Sequence, residues 1–356
     1  MLNNDFWAGK KVLVTGHTGF KGSWLSIWLD MLGAEVAGYA LEPLTANDNF
    51  VLSGIGAQMH HNTGDIRDFD KLGKCFESFR PEIVFHLAAQ PLVRESYNSP
   101  RDTYEVNVLG TVNLLECCRL SDSTRVIVNI TTDKCYENKE WVWGYRENDR
   151  LGGHDPYSSS KACSELVTEA YRKSFFNPEE LARHGKSLAS ARAGNVFGGG
   201  DWQADRIFPD CIRHLERGEA IVVRNPHAVR PWQHVLEPLS GYLLLAEKMY
   251  GSPAEYVGGW NFGPEESSFL SVGSLVDRVV MAWGDGRWED RSIPGAVHEA
   301  NLLKLDIAKA KAYLGWSPEW GIDRAVVETV AWYREYSAGS VHDLCLRQIA
   351  DYMNSR

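Results

Sequence analysis

Two short segments carry the side chains able to do chemistry. One is Thr131-Thr132-Asp133-Lys134, and the other is Tyr157-Ser158-Ser159-Ser160-Lys161. Tyr157 and Lys161 are four residues apart, so on a helix they share one face. A neighbouring ammonium stabilises phenolate and draws a tyrosine pKa down from its usual value near about 10. A phenolate so placed takes the proton of a hydroxyl as general base. The Thr132 hydroxyl can hydrogen-bond an oxygen on which charge changes. Asp133 and Lys134 then add an acid and an amine, more than the transfer of hydride at one carbon requires. They are the groups a second proton transfer, at an adjacent carbon, would need. Taken alone, the Tyr-Lys spacing is a common surface pairing and Asp-Lys a common turn ion pair. Their combination is what points to a site.

These groups need a frame. Lys11-Val12-Leu13-Val14-Thr15 reads as a strand that runs into Gly16-x-x-Gly19-x-x-Gly22, and Ser23 to Leu32 follows with helical apolar spacing, ended by Gly33. Glycines between a strand and a helix allow a tight turn. They also let backbone N–H groups approach a pyrophosphate at the helix N-terminus. A dinucleotide site is therefore expected at Gly16, Gly19 and Gly22. Alternation continues with strands at Glu35–Leu41, Glu82–Leu87 and Arg125–Ile130, helices at Val106–Leu120 and Tyr157–Phe175, and a further strand opening at Ala189-Ser190-Ala191-Arg192. This is the pattern of an α/β, Rossmann-like, doubly wound parallel sheet with helices on both faces. After about residue 196 the regularity loosens. The expected division is a cofactor-binding unit over 1–190 and a smaller mixed α/β substrate-binding lobe over 191–356, with some segments returning to the first unit. At the end of the second strand, Tyr39-Ala40-Leu41-Glu42 offers Glu42 for an adenosine ribose. No Arg sits there to suggest a 2′-phosphate, so NAD is favoured over NADP.

Composition narrows the classes. The 356 residues carry 44% hydrophobic and 24% charged side chains, ordinary for a soluble globular protein. A formal charge of −10 argues against sequence-independent nucleic-acid binding, since no excess of Lys and Arg offsets phosphate repulsion. The seven cysteines are scattered without a Cys-x-x-Cys pair, so neither a metal site nor a disulfide framework is expected, and a reducing cytoplasmic setting fits. The N-terminal residues do not read as a signal peptide, and no apolar run is long enough to span a membrane.

The ordered set Thr15-Gly16-His17-Thr18-Gly19-Phe20-Lys21-Gly22, Gly64-Asp65-Ile66-Arg67-Asp68, His86-Leu87-Ala88-Ala89-Gln90, Asn107, Thr131-Thr132, Tyr157-x-x-x-Lys161 and Arg192-x-x-Asn195-Val196-Phe197-Gly198 resembles the extended short-chain dehydrogenase/reductase family over most of the chain. The resemblance implies a cofactor site of Gly16, Gly19, Phe20, Lys21 and Gly22, with Asp65 and Ile66 at the adenine. Leu87, Ala88, Ala89 and Gln90 would line the ribose and phosphates, and Asn107, Tyr157 and Lys161 complete the set. Thr132, Tyr157 and Lys161 would be the shared hydride-transfer group. In the resembling dTDP-glucose 4,6-dehydratases an Asp-Glu pair stands where this chain has Asp133-Lys134. The Lys, with the glycine-loop sequence and Asp133-Lys134-Cys135-Tyr136, is similar to the 4,6-dehydratase branch that acts on CDP-glucose, which implies that substrate. Two assignments of the pair stand open: Lys134 as base with Asp133 as acid, or the reverse.

A diphosphate needs directed positive charge, which an Arg fork supplies. Arg230, in Arg230-Pro231-Trp232-Gln233-His234-Val235, resembles an Arg-Asp-Trp segment of the family and is the first candidate. Arg206 and His298 follow, and Asn195 resembles a sugar-nucleotide contact. The resemblance also implies pairing of subunits through Val106–Leu120 and Tyr157–Phe175, giving a homodimer or homotetramer. Two other readings compete. A nucleotide-sugar 4-epimerase has no use for Asp133-Lys134, and an idle NAD-binding regulatory protein would not need Thr132, Tyr157 and Lys161 all intact.

Overall fold

The computed structural model describes residues 3–292 and 302–355. Seven parallel strands form the central sheet: β1 (Lys11–Thr15), β2 (Glu35–Ala40), β3 (His60–Thr63), β4 (Ile83–His86), β5 (Val126–Thr131), β6 (Ser187–Arg192) and β7 (Gly258–Asn261). Their order is β7-β6-β5-β4-β1-β2-β3, and every neighbouring pair is parallel. The order reverses between β1 and β4, so the loops that leave these strands open a crevice at their C-terminal ends. Strands β4, β5 and β6 are buried along their whole length, as a sheet covered on both faces requires.

The principal helices are α1 (Phe20–Met31), α2 (Phe69–Phe79), α3 (Gly110–Leu120), α4 (Pro156–Ser174), α5 (Ile207–Glu216), α6 (Leu236–Gly251), α7 (Val272–Trp283), α8 (Ile322–Glu335) and α9 (Val341–Met353). Local chemistry sets their ends. Asp68 caps α2 by accepting from the Lys71 N–H at 3.0 Å. Asp155 caps α4 by accepting from the Ser158 N–H at 2.8 Å, with Pro156 in the first turn, where its missing N–H costs nothing. Gly33, at φ +78°, closes α1 in the left-handed region.

The smaller lobe is built from short paired strands. Val196–Phe197 runs beside Gln233–His234, Val229–Pro231 beside Phe269–Ser271, and Ile221–Val223 beside Trp288–Asp290. The chain then returns: β7, from the second half of the sequence, completes the main sheet against β6. One large core of buried apolar residues joins β1, β5 and β6 to α1, α6, α8 and α9, and holds the buried Trp24, Trp28, Trp260, Trp316 and Trp332. A second core fills the other face between the sheet, α2 and α3. Trp232 is buried too, its indole N–H donating to Leu270 O at 3.0 Å. No helix among the described residues is long and apolar enough to cross a membrane.

The expected helix Val106–Leu120 begins differently. A short helix at Pro100–Tyr104 passes into a π-helical turn, Glu105–Leu109, before α3. A π turn inserts one residue into the helical repeat and turns a side chain off the regular face. Here that turn holds the buried Asn107, whose role is described below.

Two glycines inside helices predict opposite responses to the same change. At Gly22 in α1 a Cβ would lie 2.1 Å from Gly16 O, a rigid backbone atom, so Gly22→Ala is expected to destabilise by about 1–3 kcal/mol. At Gly73 in α2 a Cβ meets nothing within 4 Å, and Gly73→Ala should stabilise by about 0.5–1 kcal/mol by lowering chain entropy. Urea midpoints of the two variants against the parent check both signs. A second expectation concerns acid. Burial pushes His86 and His234 down to about 3. Below the unfolded value near about 6.5 the unfolded chain takes up a proton that the folded chain refuses, so stability falls with pH. Each histidine should cost about 1 kcal/mol per pH unit between roughly pH 6 and pH 4. An unfolding free energy that stays flat from pH 7 to pH 5 would contradict this.

Candidate active site

The crevice is lined first by the glycine turn. Gly16 has φ +73°, and a Cβ there would stand 2.7 Å from Ala88 N. The turn thus lies directly against the segment Leu87–Gln90 that leaves β4. Thr15 ties the two together: its hydroxyl oxygen accepts from Ala88 N–H at 3.2 Å and pairs with His86 Nδ1 at 2.7 Å. Gly19 precedes the first turn of α1, and Phe20 reaches across to the backbone at Gly198, where a Cβ would meet its ring at 3.2 Å. Bare glycine backbone at a helix N-terminus, in contact with a second loop, is the cradle a dinucleotide's phosphates require. The residues present fit that group.

The neighbouring loops complete the cradle. Asn107, from the π turn, holds Gln90 by its backbone: Oδ1 accepts from Gln90 N–H at 2.8 Å, and Nδ2 donates to Gln90 O at 3.1 Å and to Ser160 Oγ at 2.8 Å. Gln90 Nε2 donates to Thr103 Oγ1 at 2.9 Å. Asn107 is therefore a brace between the β4 loop and α4. Asp65 lies beyond β3, with Tyr39 OH donating to its carbonyl at 3.0 Å. Its carboxylate pairs with Arg67 at 2.6 Å, and the Arg67 hydrogen bond holds it below the usual carboxylate range. Ile66 is buried and packs against Gly110, the first residue of α3. Glu42, after β2, is exposed and accepts from Thr63 Oγ1 at 2.8 Å.

The chemical groups converge at the ends of β5, β6 and α4. Thr132 Oγ1 donates to Asp133 Oδ1 at 2.9 Å and stands within hydrogen-bonding reach of the Tyr157 phenol. Asp133 is buried; its Oδ2 accepts from Asn195 Nδ2 at 3.2 Å, and it rests on Gly194, where a Cβ would collide with the carboxylate at 2.0 Å. Asn195 takes φ +52°, a left-handed conformation that Asn tolerates better than most residues. Lys134 is half-buried in the turn after β5, its backbone N–H donating to Thr132 Oγ1 at 3.3 Å. Lys161 is buried beneath, donating to Ile130 O at 3.1 Å.

Electrostatics in this cluster depart from ordinary values. Burial raises Tyr157 to about 12; the Thr132 hydrogen bond and the Arg206 charge pull it down, while the Asp133 charge pushes it up. The groups that pull the phenol down are thus Thr132 and Arg206, where the sequence pointed to a lysine, and burial outweighs them. Burial brings Lys161 down to about 8, with Glu165 and Cys135 opposing. Lys21 falls to about 7, first by burial and then by Arg206, with Lys161 adding and Asp133 and Asp201 opposing. Lys21, in the first turn of α1, is therefore near enough for the charges of Arg206, Asp133, Lys161 and Asp201 to act on it.

Of the residues expected to meet substrate, Asn195 and Arg206 join this cluster. Arg206 stands just before α5 and is anchored to the buried Asp201 at 2.7 Å. Arg230 lies on Val229–Pro231 of the smaller lobe, half-buried, with Nη1 donating to Val229 O at 3.0 Å. It is three residues before Gln233, which pairs with Val196 next to Asn195. His298 falls outside the described residues. Two residues absent from the sequence reading prove structurally central. Asp201 orients Arg206. Glu165 stands one turn past Lys161 on α4 and pairs with Arg192 at 2.7 Å, both nearly excluded from solvent. The Lys161-x-x-x-Glu165 spacing was the signal for the latter, since residues four apart on a helix share a face. Nothing in the local sequence marks Asp201.

A hydroxyl, a phenol, a carboxylate and four cations (Lys21, Lys134, Lys161 and Arg206) at the carboxyl end of a parallel sheet can move protons at adjacent carbons, beside a cradle for a dinucleotide that would carry hydride. Comparison with known proteins agrees with that chemistry. The family profile of GDP-mannose 4,6 dehydratase matches residues 13–329. The chain is 51% identical to CDP-glucose 4,6-dehydratase of Salmonella typhimurium, over 100% of this chain and 99% of that protein. It is 28% identical to dTDP-glucose 4,6-dehydratase of Streptomyces antibioticus, over 92% and 93% of the two chains. Among solved structures, UDP-glucose 4-epimerase of Thermus thermophilus in complex with NAD superimposes with a TM-score of 0.76 at 25% identity, covering 91% of this chain and 98% of that one. The dTDP-glucose 4,6-dehydratase of Bacillus anthracis in complex with NAD shares the fold at a TM-score of 0.75 and 20% identity, over 92% and 97%. The chain belongs to the GDP-mannose 4,6 dehydratase family, within the extended short-chain dehydrogenases/reductases.

Proposed function

We propose that this protein is an NAD-dependent CDP-glucose 4,6-dehydratase, a hydro-lyase that forms CDP-4-keto-6-deoxyglucose and water. The observation that carries the reading is Asp133 bonded to Thr132 and acting on Tyr157, with Lys134 next in the chain, in a chain 51% identical from end to end to a relative of that name. NAD, when bound, supplies the acceptor and then the donor of one hydride, so no net redox partner is consumed. Gly16, Gly19, Phe20, Lys21 and Gly22, with Leu87, Ala88, Ala89 and Gln90, would hold its phosphates and riboses. Asp65 and Ile66 would meet the adenine, Asn107 would brace Gln90, and Tyr157 and Lys161 would hold the nicotinamide ribose. Residues 1–190 form the cofactor unit in this reading, and 191–356 the substrate lobe with β7 returned to the sheet.

Tyr157 takes the proton of the C4 hydroxyl while Thr132 holds that oxygen. Burial holds the phenol near about 12 even with the Thr132 hydrogen bond and the Arg206 charge beside it, so the further lowering a base at neutral pH needs would come from the positive charge that bound NAD would bring. The C4 carbonyl so formed acidifies the C5 hydrogen. We assign its removal to Lys134 and protonation of the departing C6 hydroxyl to Asp133, following the order of the Asp-Glu pair in the resembling dehydratases. Asn195, Arg206, Arg230 and His298 are the proposed contacts to the nucleotide sugar, with the two guanidinium groups at its diphosphate. The described cysteines are free thiols, which supports a cytoplasmic setting.

A homodimer or homotetramer is also proposed. Leu109 just before α3, Leu120 at its end, Leu166 on α4 and Phe175 just after it are large apolar side chains exposed along the two helices that would pair. Replacing Leu109 and Leu166 by Glu should lower the mass measured by light scattering to that of one chain.

Incubation with NAD and a panel of glucose nucleotides is the direct test. Loss of one water from CDP-glucose alone is expected. Turnover of dTDP-glucose instead, or isomerisation without loss of water, would refute the reading. In D2O, Lys134→Met should lose solvent exchange at C5, whereas Asp133→Asn should keep exchange and lose elimination. The reverse result would exchange the two roles. Tyr157→Phe should lower kcat by about 100- to 10,000-fold.

A further inference from the structure

We propose that Glu165 and Arg192 are a positioning pair for this reaction, holding the ends of β5, β6 and β7 in register with the face of α4 that carries Tyr157 and Lys161. The proposal rests on the dehydratase reading above and adds to it two residues that touch neither cofactor nor substrate.

The geometry is that of a closed clamp. Glu165 Oε1 accepts from Thr131 Oγ1 and from Arg192 Nε at 2.9 Å, while Oε2 accepts from Ser190 Oγ at 2.6 Å and Arg192 Nη2 at 2.7 Å. The side chains are 3% and 5% exposed, so the pair is out of water and almost every lone pair is used. Arg192 then reaches outward: Nη1 donates to Tyr136 OH at 2.7 Å and to Glu147 O at 2.9 Å. Tyr136 OH donates in turn to Asn261 Oδ1 at 2.8 Å, at the end of β7. Gly259 on β7 makes the room, since a Cβ there would stand 2.8 Å from Arg192 Nη2.

Each anchor lies within four residues of a proposed site residue. Thr131 precedes Thr132, Arg192 is three residues before Asn195, and Glu165 is one helical turn past Lys161. A buried ion pair is seldom more stabilising than apolar residues of the same volume, because both charges must be stripped of water. What a planar, bidentate pair adds is a defined distance and orientation between the elements it joins. Here those elements are the ones whose alignment the reaction needs.

The pair also bears on the charge of Lys161. Glu165 and Cys135 face that ammonium and favour its protonated form, with His86 from β4 and Lys21 from α1 on its other sides. Removing the carboxylate therefore lets Lys161 lose its proton at lower pH.

The test compares the full-length protein with Glu165→Gln and Glu165→Asp, assayed with NAD and CDP-glucose across pH, beside circular dichroism and thermal melting. Glu165→Gln should lower kcat by about 100-fold, the loss expected for a misplacement of about 1 Å, with KM changed less than about threefold. Its alkaline limb should move to lower pH. Glu165→Asp keeps the charge but withdraws it by one methylene, so kcat should fall about tenfold with the alkaline limb where the parent has it. A folded Glu165→Gln with parental kcat and pH profile would overturn the proposal, leaving the pair a stability element alone. If Glu165→Gln does not fold, parental kcat in Glu165→Asp overturns it equally. Should the parent turn over no nucleotide sugar, the dehydratase reading fails by itself. The pair is then judged from NAD affinity measured by tryptophan fluorescence, which Glu165→Gln should lose at lower pH than the parent.

Discussion

One buried ion pair sits where four elements of this molecule meet, and much of the site's geometry follows from it. Glu165 on α4 and Arg192 on β6 are 2.7 Å apart and shielded from water, with Thr131 of β5 and Ser190 of β6 on the same carboxylate. Burial opposes the ionised carboxylate, yet the Arg192 charge and the hydrogen bonds from Arg192, Ser190 and Thr131 outweigh it and hold Glu165 below the usual range. An arrangement of this kind has one satisfactory geometry, because removing any partner leaves a charge or a polar atom unpaired in low dielectric. Parallel strands can slide and a helix can rotate over a sheet. The pair resists both.

Around that fixed point the site is assembled from elements far apart in sequence. The glycine turn contributes closeness: Gly22 against Gly16 O and Gly16 against Ala88 N are distances at which no side chain fits. Asn107 contributes a brace, spanning Gln90 and Ser160 and so coupling the cofactor loop to the helix of Tyr157. Asp133 is held by Thr132 on one oxygen and Asn195 on the other, which ties the end of β5 to the start of the smaller lobe. Lys21, Lys161 and Arg206 bring cationic groups close to one another, and Asp133 and Asp201 offset them. A site with that balance suits a substrate that arrives with a diphosphate and a reaction that moves protons between neighbouring carbons.

Legibility in the sequence followed how local each signal was. Strand β1, the glycine turn and α1 were readable because one short segment holds the apolar run, the glycines and the helical spacing together. Tyr157 and Lys161 were readable because a single helix sets their relation. The start of α3 was not, since a π turn depends on Asn107 finding Gln90 and Ser160, which belong to other elements. The return of β7 to the sheet was expected only in outline. Four residues of short, glycine-rich strand carry little periodicity of their own, and pairing with β6 decides their place.

By itself the sequence determined the doubly wound parallel fold, the glycine turn between β1 and α1 and the shared helix face of Tyr157 and Lys161, because periodicity, glycine spacing and helical spacing are properties of short segments. Tertiary structure alone decided that the charges of Asp133 and Arg206 act on Lys21, that Asp201 aims Arg206, and that Glu165 closes on Arg192. The first and last join positions from different strands, helices or loops, and the second is set by the fold of the single loop before α5. Only the packing of the sheet, which brings the ends of β1, β5 and β6 to one crevice, sets their distance and so their charge.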